Sequence, residues 1–328
     1  MKYEVLHLLK ENSETFLSGQ LISEKLGVSR TSIWKYIKSL KEEGYMIDSS
    51  SKKGYRLIVS PDALTFEEIK KYLNTKYIGK KIIHFESINS TNDKAKELAE
   101  QGADDGTIII SEEQVGGKGR LGRLWCSPKY KGIWLSIILR PNINPMKAPE
   151  ITQIAAAAMI ESLKEFDINA KVKWPNDIII EGKKVCGILT EMSGELNRVN
   201  YVIVGIGINA NLDKGDFSKD LLDKATSLKI EINSNVDRKA LVGTLLNKFE
   251  YLYKEFQEKG KIGFSIKICK DNSAVIGKNI KIIKNTDESY AKALDLDEGG
   301  GLIVQYEDGS VEKLISGEVS IRGLNKYI

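Results

Sequence analysis

Residues Gly116–Trp125 read GGKGRLGRLW, and deciding what this stretch can be decides the fold. It places four glycines, three cations and one tryptophan in ten residues, with no acid. Glycine loses more backbone freedom on folding than any other residue, so the cluster signals a use for bare backbone. Lys118, Arg120 and Arg123 suggest that the use involves an anion, because guanidinium forks suit phosphate oxygens. A Walker A loop would need Gly-x4-Gly-Lys followed by Ser or Thr at a helix start, and neither Ser nor Thr follows. A dinucleotide fingerprint would need small residues where Lys and Arg stand. The later stretch Gly205-Ile-Gly-Ile-Asn209 lacks a third glycine and a following helix, so it is no Rossmann turn either. What remains is an extended, flexible basic loop, able to order around a phosphorylated ligand and shield it from water. Composition alone also allows a plain disordered surface loop.

Outward from this loop, the chain bounds the answer. Its 328 residues suit two or three domains, and 41% hydrophobic content is enough for real cores. The net charge of +4 and pI of about 8.6 permit nucleic acid as a partner without demanding it. The longest apolar run, Tyr201–Ile208, contains two glycines and falls far short of the roughly 18 residues that span a bilayer. The N-terminus carries Glu4, Glu11 and Glu14 and no cleavage pattern, so no secretory signal is expected, and a cytoplasmic location is. Cys126, Cys186 and Cys269 lie far apart and make no zinc spacing with His7 and His84; no protein cluster for a metal is expected.

The first 60 residues form a unit. Met1–Glu11 and Ser18–Leu26 carry apolar residues at helical spacing, Gly27 breaks the second helix, and Ser29 caps a third that runs from Arg30 to Glu43 and stops at Gly44. Two short β patterns follow, Tyr45–Ile47 and Tyr55–Val59. The order is a helix-turn-helix with a β wing. From Val28 to Arg56 there are seven Lys/Arg against three acids, so positive charge concentrates where a recognition helix and wing would meet phosphates. Thr31, Ser32, Lys35 and Lys38 on the third helix, with Lys52 and Lys53 in the wing, are the candidate DNA contacts.

Beyond Ser60-Pro61-Asp62, the pattern predicts a helix over Phe66–Leu73 and a strand over Lys81–Phe85. A polar stretch, Glu86–Asn92, then opens a helix over Asp93–Glu100 that Ser90 or Thr91 can cap. Strands are expected over Thr107–Ile110 and Ile133–Leu139, and a long Ala-rich helix from Pro149 to Phe166. Lys171-Val-Lys-Trp-Pro-Asn-Asp177 ends a strand in a turn. Ile178–Ile180 and Lys183–Glu191 form a hairpin over Glu181-Gly182, and Val202–Val204 is a further strand. Lys184 stands in an otherwise small and apolar strand, either as a snorkelling edge residue or as a functional cation. From Asp271 on, short strands over Ala274–Ile276, Asn279–Ile283, Ser289–Leu296, Leu302–Tyr306 and Val311–Ser316 alternate with turns such as Asp297–Gly301.

Taken in order, Glu86–Asn92, Gly116–Trp125, Lys173-Trp-Pro-Asn-Asp177, Lys184–Leu189 and Gly205–Asn209 resemble the biotin protein ligases, over essentially the whole chain. Gly-Arg-Leu-Gly-Arg and Lys-Trp-Pro-Asn-Asp together make the resemblance specific. With its N-terminal winged helix the chain resembles the bifunctional form, both biotin ligase and biotin-operon repressor. One departure is Lys118, where many relatives carry arginine.

The resemblance implies an α+β multidomain fold: a winged helix-turn-helix (1–60), a mixed α/β biotin and ATP-binding catalytic domain (61–270) and an SH3-like β barrel (271–328). It implies activation of biotin by ATP, with Mg2+, to biotinyl-5′-AMP. Transfer to a lysine of a biotin carboxyl carrier protein follows, the acceptor being a subunit of acetyl-CoA carboxylase or of another biotin-dependent carboxylase. Arg120, Lys184 and Asp177 are implied to be catalytic, Asp177 by assisting transfer or placing Mg2+. Ser90, Thr91, Asn92, Gln114, Gly116, Arg120, Lys184 and Gly187 are implied around biotin. Lys118, Arg120, Arg123, Trp125, Asn176, Asn209, Lys281 and Arg322 are implied around ATP or the adenylate, Arg322 through the closing motif Gly317–Arg322. Operator DNA and a homodimer formed with adenylate as co-repressor complete the expectation. Two alternatives stay open: a lipoate-type ligase, and a biotin-sensing repressor without catalysis.

Overall fold

The computed structural model describes residues 1–284, 287–315 and 319–323. Two compact units divide the chain, 1–63 and 64–328.

In the first unit, helices α1 (Lys2–Glu11), α2 (Gly19–Leu26) and α3 (Arg30–Glu42) precede a hairpin of strands β1 (Met46–Ser50) and β2 (Gly54–Val59). Ser18 and Ser29 cap α2 and α3 by accepting from the amides of Leu21 and Ser32. Val5, Leu6, Leu9, Ile22, Ile33, Ile37 and Leu40 close a small core against Ile47 and Leu57 of the hairpin. The wing is tied down by a two-way backbone pairing between Leu17 and Tyr55 (2.9 and 2.8 Å). Beside it Gly54, at φ +102°, leaves no room for a Cβ, which would lie 2.1 Å from the Leu17 carbonyl oxygen.

The second unit opens with α4 (Phe66–Ile69) and a 3-10 turn, Lys70–Tyr72, where the sequence predicts one helix. The alternation β3 (Ile82–Phe85), α5 (Thr91–Glu100), β4 (Ile108–Ser111), β5 (Ile133–Leu139), α6 (Ala148–Lys164), β6 (Lys171–Lys173), β7 (Asp177–Ile180), β8 (Lys183–Glu195) and β9 (Arg198–Ile208) follows. These strands make one seven-stranded sheet in the order β3-β4-β5-β9-β8-β7-β6, parallel only between β3 and β4. Helix α6 is buried nearly all round because it lies between the sheet and helices α8 (Arg238–Lys259) and α9 (Gly263–Asp271), and its run Ala155–Ala158 lets them approach closely. Helix α5 covers the other face of the sheet over β4, β5 and β9. Strand β5 is buried at every position as a result: Ile133, Leu135, Ile137 and Leu139 face the large core, while Ile138 faces α5.

A buried charge network braces this unit. Glu112, wholly inaccessible, lies 3.0 Å from His84 Nε2, accepts from Arg238 Nη1 at 2.9 Å and from the Leu64 amide at 2.6 Å, and Arg238 Nη1 also reaches the Gly132 carbonyl at 2.8 Å. Burial pushes the Glu112 carboxyl up, but His84, Arg238 and the Leu64 amide outweigh it and hold it below its usual range.

The last segment is a five-stranded antiparallel sheet, β10 (Asn279–Lys284), β11 (Asp287–Leu296), β12 (Leu302–Tyr306), β13 (Val311–Leu314) and β14 (Ser320–Arg322), in the order β13-β12-β11-β10-β14. The strand expected over Ala274–Ile276 is absent. Ala274 donates to the Val172 carbonyl and the Ser273 hydroxyl accepts from the amides of Val275 and Ile276, so these apolar residues are buried as a turn. Sequence reading also assigned no element between Asn209 and Asp271, where α7 (Leu228–Ile232), α8 and α9 lie. The signal for α8 was present: an Asp237 cap, apolar residues from Leu241 to Phe256 at helical spacing, and Gly260 at the end in a left-handed conformation. Among the described residues no helix is long and apolar enough to cross a membrane.

Candidate active site

The site is built on a floor of glycines. Along β9 the alternation Gly205-Ile206-Gly207-Ile208 sends both isoleucines into the core and turns both glycines to the opposite face. The register places Gly207 between Gly187 and Trp134, and Gly205 between Leu189 and Ser136. Side chains from elsewhere lie directly on this bare backbone. A Cβ at Gly205 would sit 2.1 Å from Asn92 Oδ1, one at Gly207 2.6 Å from Trp125 Nε1, and one at Gly187 2.8 Å from Lys184 Cε.

At one end of the floor is a hydrogen-bonded cradle. Ser90 caps α5 and so aims its first turn at the sheet. Gln114 Oε1 accepts from the Thr91 amide (2.8 Å) and hydroxyl (3.0 Å), and Gln114 Nε2 donates to Ser127 Oγ at 3.0 Å. Ser136, absent from the sequence expectation, lies 2.8 Å from Thr91 Oγ1 and donates to Asn92 Oδ1 at 2.6 Å. Ser90, Thr91, Asn92, Gln114, Lys118, Arg120, Lys184 and Gly187 all line this narrow inner cavity. Gly116 does not; it pairs with Asn89, whose Oδ1 would be 2.2 Å from a Cβ there.

Where the sequence suggests an extended loop, Gly116–Trp125 folds back on itself. Trp125 donates to the Gly117 carbonyl at 2.8 Å and Gly119 to the Arg123 carbonyl at 2.7 Å, with Leu121 and Gly122 at positive φ in the tip. The fold-back lays the Trp125 indole on Gly187 and Gly207, edge-on to Trp134, with the Lys184 ammonium 5.0 Å from its ring centre.

The inner cavity opens into a larger cleft of about 1360 Å³ lined by Arg120, Arg123, Trp125, Lys173, Asn176, Asp177, Lys184, Asn209, Lys281 and Arg322 among others. Lys184 is ion-paired to Asp177. Arg120 donates to Asn176 Oδ1 at 3.0 Å and to the Val319 carbonyl at 3.1 Å, and burial draws its pKa down. Both groups of the Asn176 amide are engaged, since Nδ2 donates to the Ile188 carbonyl at 2.7 Å, and Asn209 Nδ2 donates to the Thr226 carbonyl at 3.0 Å. These contacts make both residues braces for the cleft wall. Lys118 is exposed and paired with Asp93 at 2.7 Å. Lys281 and Arg322 face each other across β10 and β14, and Lys281 is paired with Glu288. Gly317 and Glu318 of the expected closing motif lie outside the described residues.

Lys173 is the cation that sequence reading passed over. It is 2% exposed, and burial draws its pKa down to about 6; Asp177 works against the shift, while Arg322, Lys184 and Arg123 add to it. A lysine two residues before Pro175 carries no sequence signal of burial. Among the described residues no group of three or more His, Cys, Asp or Glu could hold a metal ion.

In the first unit, Thr31, Lys35 and Lys38 are exposed on α3, and Lys52 and Lys53 are exposed in the wing turn. Ser32 is only half-exposed, with its hydroxyl 2.9 Å from that of Ser29. The exposed Trp34 shares the α3 surface, with the Lys38 ammonium 5.8 Å from its ring centre.

A winged helix-turn-helix joined to a sheet domain whose glycine floor opens into a cationic cleft defines a class. The HTH domain family matches residues 2–56, the Biotin/lipoate A/B protein ligase family residues 84–209, and the biotin protein ligase C-terminal domain residues 275–322. The bifunctional ligase/repressor BirA of Bacillus subtilis is 38% identical over 323 residues, 98% of either chain. That of Escherichia coli is 28% identical over 317 residues, 95% of this chain and 94% of the relative. Among solved structures, the biotin protein ligase from Aquifex aeolicus in complex with biotin and ATP matches with a TM-score of 0.65 at 29% identity, covering 74% of this chain and 99% of that one. The chain belongs to the bifunctional ligase/repressor branch of the biotin protein ligases.

Two consequences are testable. Gly205→Ala pushes a methyl into the Asn92 amide, so biotin affinity measured by calorimetry should fall by about 1–3 kcal/mol, while the far-UV spectrum stays native. Lys173 gives a pH signature. Its folded pKa, about 6, lies below the ordinary 10.5, so between these values the unfolded chain binds a proton that the native chain does not, and native stability rises with pH. Lys173→Met lacks this term. The variant should therefore be more stable than the natural chain near pH 6, by a margin that narrows toward pH 10, read from urea midpoints across that range.

Proposed function

We propose that this chain activates biotin with ATP to biotinyl-5′-AMP, transfers the biotinyl group to a lysine of a biotin carboxyl carrier protein, and represses transcription from operator DNA with the adenylate as co-repressor. The observation that carries the reading is the Arg120, Lys184 and Asp177 cluster at the junction of cradle and cleft.

The cradle suits a cyclic urea. Two N–H groups and one carbonyl need a fixed, matched set of partners, and Thr91, Asn92, Gln114 and Ser136 hold one another in a hydrogen-bonded network. The glycine floor takes the ring system flat against backbone. Biotin's carboxylate then lies toward Arg120 and Lys184, which offset the repulsion between it and the α-phosphate. Carboxylate oxygen attacks α-phosphorus, and pyrophosphate leaves. Trp125 and the cleft wall suit the adenine face. In the second step a neutral lysine amine attacks the acyl carbon and AMP departs with the electron pair. Asp177 holds Lys184 in register for both steps and is a carboxylate in the cleft that fits Mg2+ carried by the triphosphate; such an ion would neutralise phosphate charge. Phosphates brought beside Lys173 favour its charged form, so nucleotide binding draws a proton onto it.

The exposed lysines of α3 and the wing suit phosphate contacts, and two copies on a palindrome would double them. A homodimer formed with bound adenylate supplies the two copies. ATP and DNA as ligands fit a cytoplasmic protein.

Pyrophosphate release that depends on biotin, and that lipoate does not support, tests the reaction. Lys184→Ala should slow it by roughly 10²-fold, with biotin binding in the absence of ATP much less affected. For the other function, Lys35→Ala with Lys38→Ala should weaken operator binding in gel shifts and, with two lysines lost from each of two copies, flatten its log–log salt slope by about four. Equal DNA affinity with and without biotin plus ATP would refute the co-repressor role.

A further inference from the structure

The peptide Lys173–Asp177 carries two charged groups into the cleft, yet its middle is gripped from behind by Gln153 and Gly300, which do not line the cleft. Trp174 is 2% exposed, and its Nε1 donates to the Gly300 carbonyl at 2.8 Å. Gly300 belongs to the turn Asp297–Gly301 between β11 and β12 of the C-terminal sheet. That turn is internally rigid: Asp297 Oδ1 accepts from the amides of Gly299 (3.0 Å) and Gly301 (2.7 Å), the Asp297 amide donates to the Gly301 carbonyl at 2.8 Å, and Lys313 is ion-paired to the same carboxylate. Gly300 sits at φ +82°, and a Cβ there would lie 2.5 Å from Gln153 Cγ. Gln153, on α6 and 1% exposed, in turn donates to the Pro175 carbonyl at 2.9 Å. Two consecutive residues of the peptide are thus held by one interlocked contact of α6 with the C-terminal turn.

We infer that Trp174, Gln153 and Gly300 are positioning residues for nucleotide activation: through them the C-terminal turn sets the backbone of Lys173–Asp177, and with it where Lys173 and Asp177 meet the triphosphate. The inference rests on the ligase reading above. The geometry favours a local effect. The cradle residues Thr91, Gln114 and Ser136, on the ring side, hang on α5, the loop after β4 and β5, and none of them bonds to this peptide; Arg120 and Lys184, on the carboxylate side, bond Asn176 and Asp177. A loosened Trp174 should therefore disturb ATP far more than biotin, whose ring contacts lie elsewhere, whereas a merely structural role would weaken both together.

The experiment compares the natural chain with Trp174→Phe, which removes the indole donor together with part of the ring, and with Gly300→Ala, which forces a methyl against Gln153. Pyrophosphate release is followed against ATP and against biotin, and biotin binding without nucleotide is followed by calorimetry. The expected result is a KM for ATP raised about tenfold or more with a reduced kcat, while biotin affinity stays within about twofold. Should either variant not fold, Gln153→Leu, which deletes the bond to Pro175, carries the same expectation. Unchanged ATP kinetics, or ATP and biotin affinities falling in step, would overturn the inference while leaving an active ligase. A natural chain that released no pyrophosphate would overturn the ligase reading, and this inference with it.

Discussion

Bare backbone at Gly187, Gly205 and Gly207 is the constraint on which the rest of the site depends. Three side chains would otherwise project from neighbouring positions on one sheet face. Without them Asn92 can lie on Gly205, Trp125 can lie on Gly207 and Gly187, and Lys184 can reach across to Asp177. The conformational cost of these glycines is offset by their pairing in the middle of a seven-stranded sheet, where both neighbours are long strands and the opposite face is closed by Ile206 and Ile208. Cavity and core are two faces of the same strand.

Onto that floor the protein brings a concentration of positive charge. Lys173, Lys184, Arg120, Arg123 and Arg322 share the cleft, and the pKa values of Lys173 and Arg120 are drawn down by burial. Burial of these cations is a local cost in stability. The cost is carried by a scaffold braced by buried charge. The Glu112–Arg238 pair, completely buried, ties the start of the unit at Leu64 to β3 through His84 and to the backbone before β5 through Gly132. Breaking one member would strand a buried charge, which is far more costly than the pair is stabilising.

Much of this was legible from the chain. Caps and stops are local chemistry, so Ser29 before α3, Ser90 before α5 and the Glu181-Gly182 turn stand where the sequence puts them. The basic loop, the Lys-Trp-Pro-Asn-Asp motif and Lys184 do converge on one cleft. Misreadings came where a residue's partner is remote. Ala274–Ile276 looks like a strand because apolar residues are consecutive, but its partner is the end of β6 and its form is a turn. Gly116 belongs to the glycine loop in sequence and to the Asn89 backbone in space.

The sequence by itself determined the order of elements up to β9, the winged helix with its basic face, the absence of a Walker or Rossmann loop, and the residues able to meet an anion. These follow from short-range rules: side-chain period, capping, and charge carried by named residues. Only the tertiary structure decided that Gly205 and Gly207 are a floor rather than a turn, that Ser136 completes the cradle, that Lys173 is buried, and that Trp174 is bolted to Gly300. Each of these depends on what lies across the sheet or in another part of the chain. A Cβ that cannot fit, a proton that cannot be held and an indole N–H that finds its carbonyl are properties of pairs. The second member of each pair is set by packing, tens of residues or more away in the sequence.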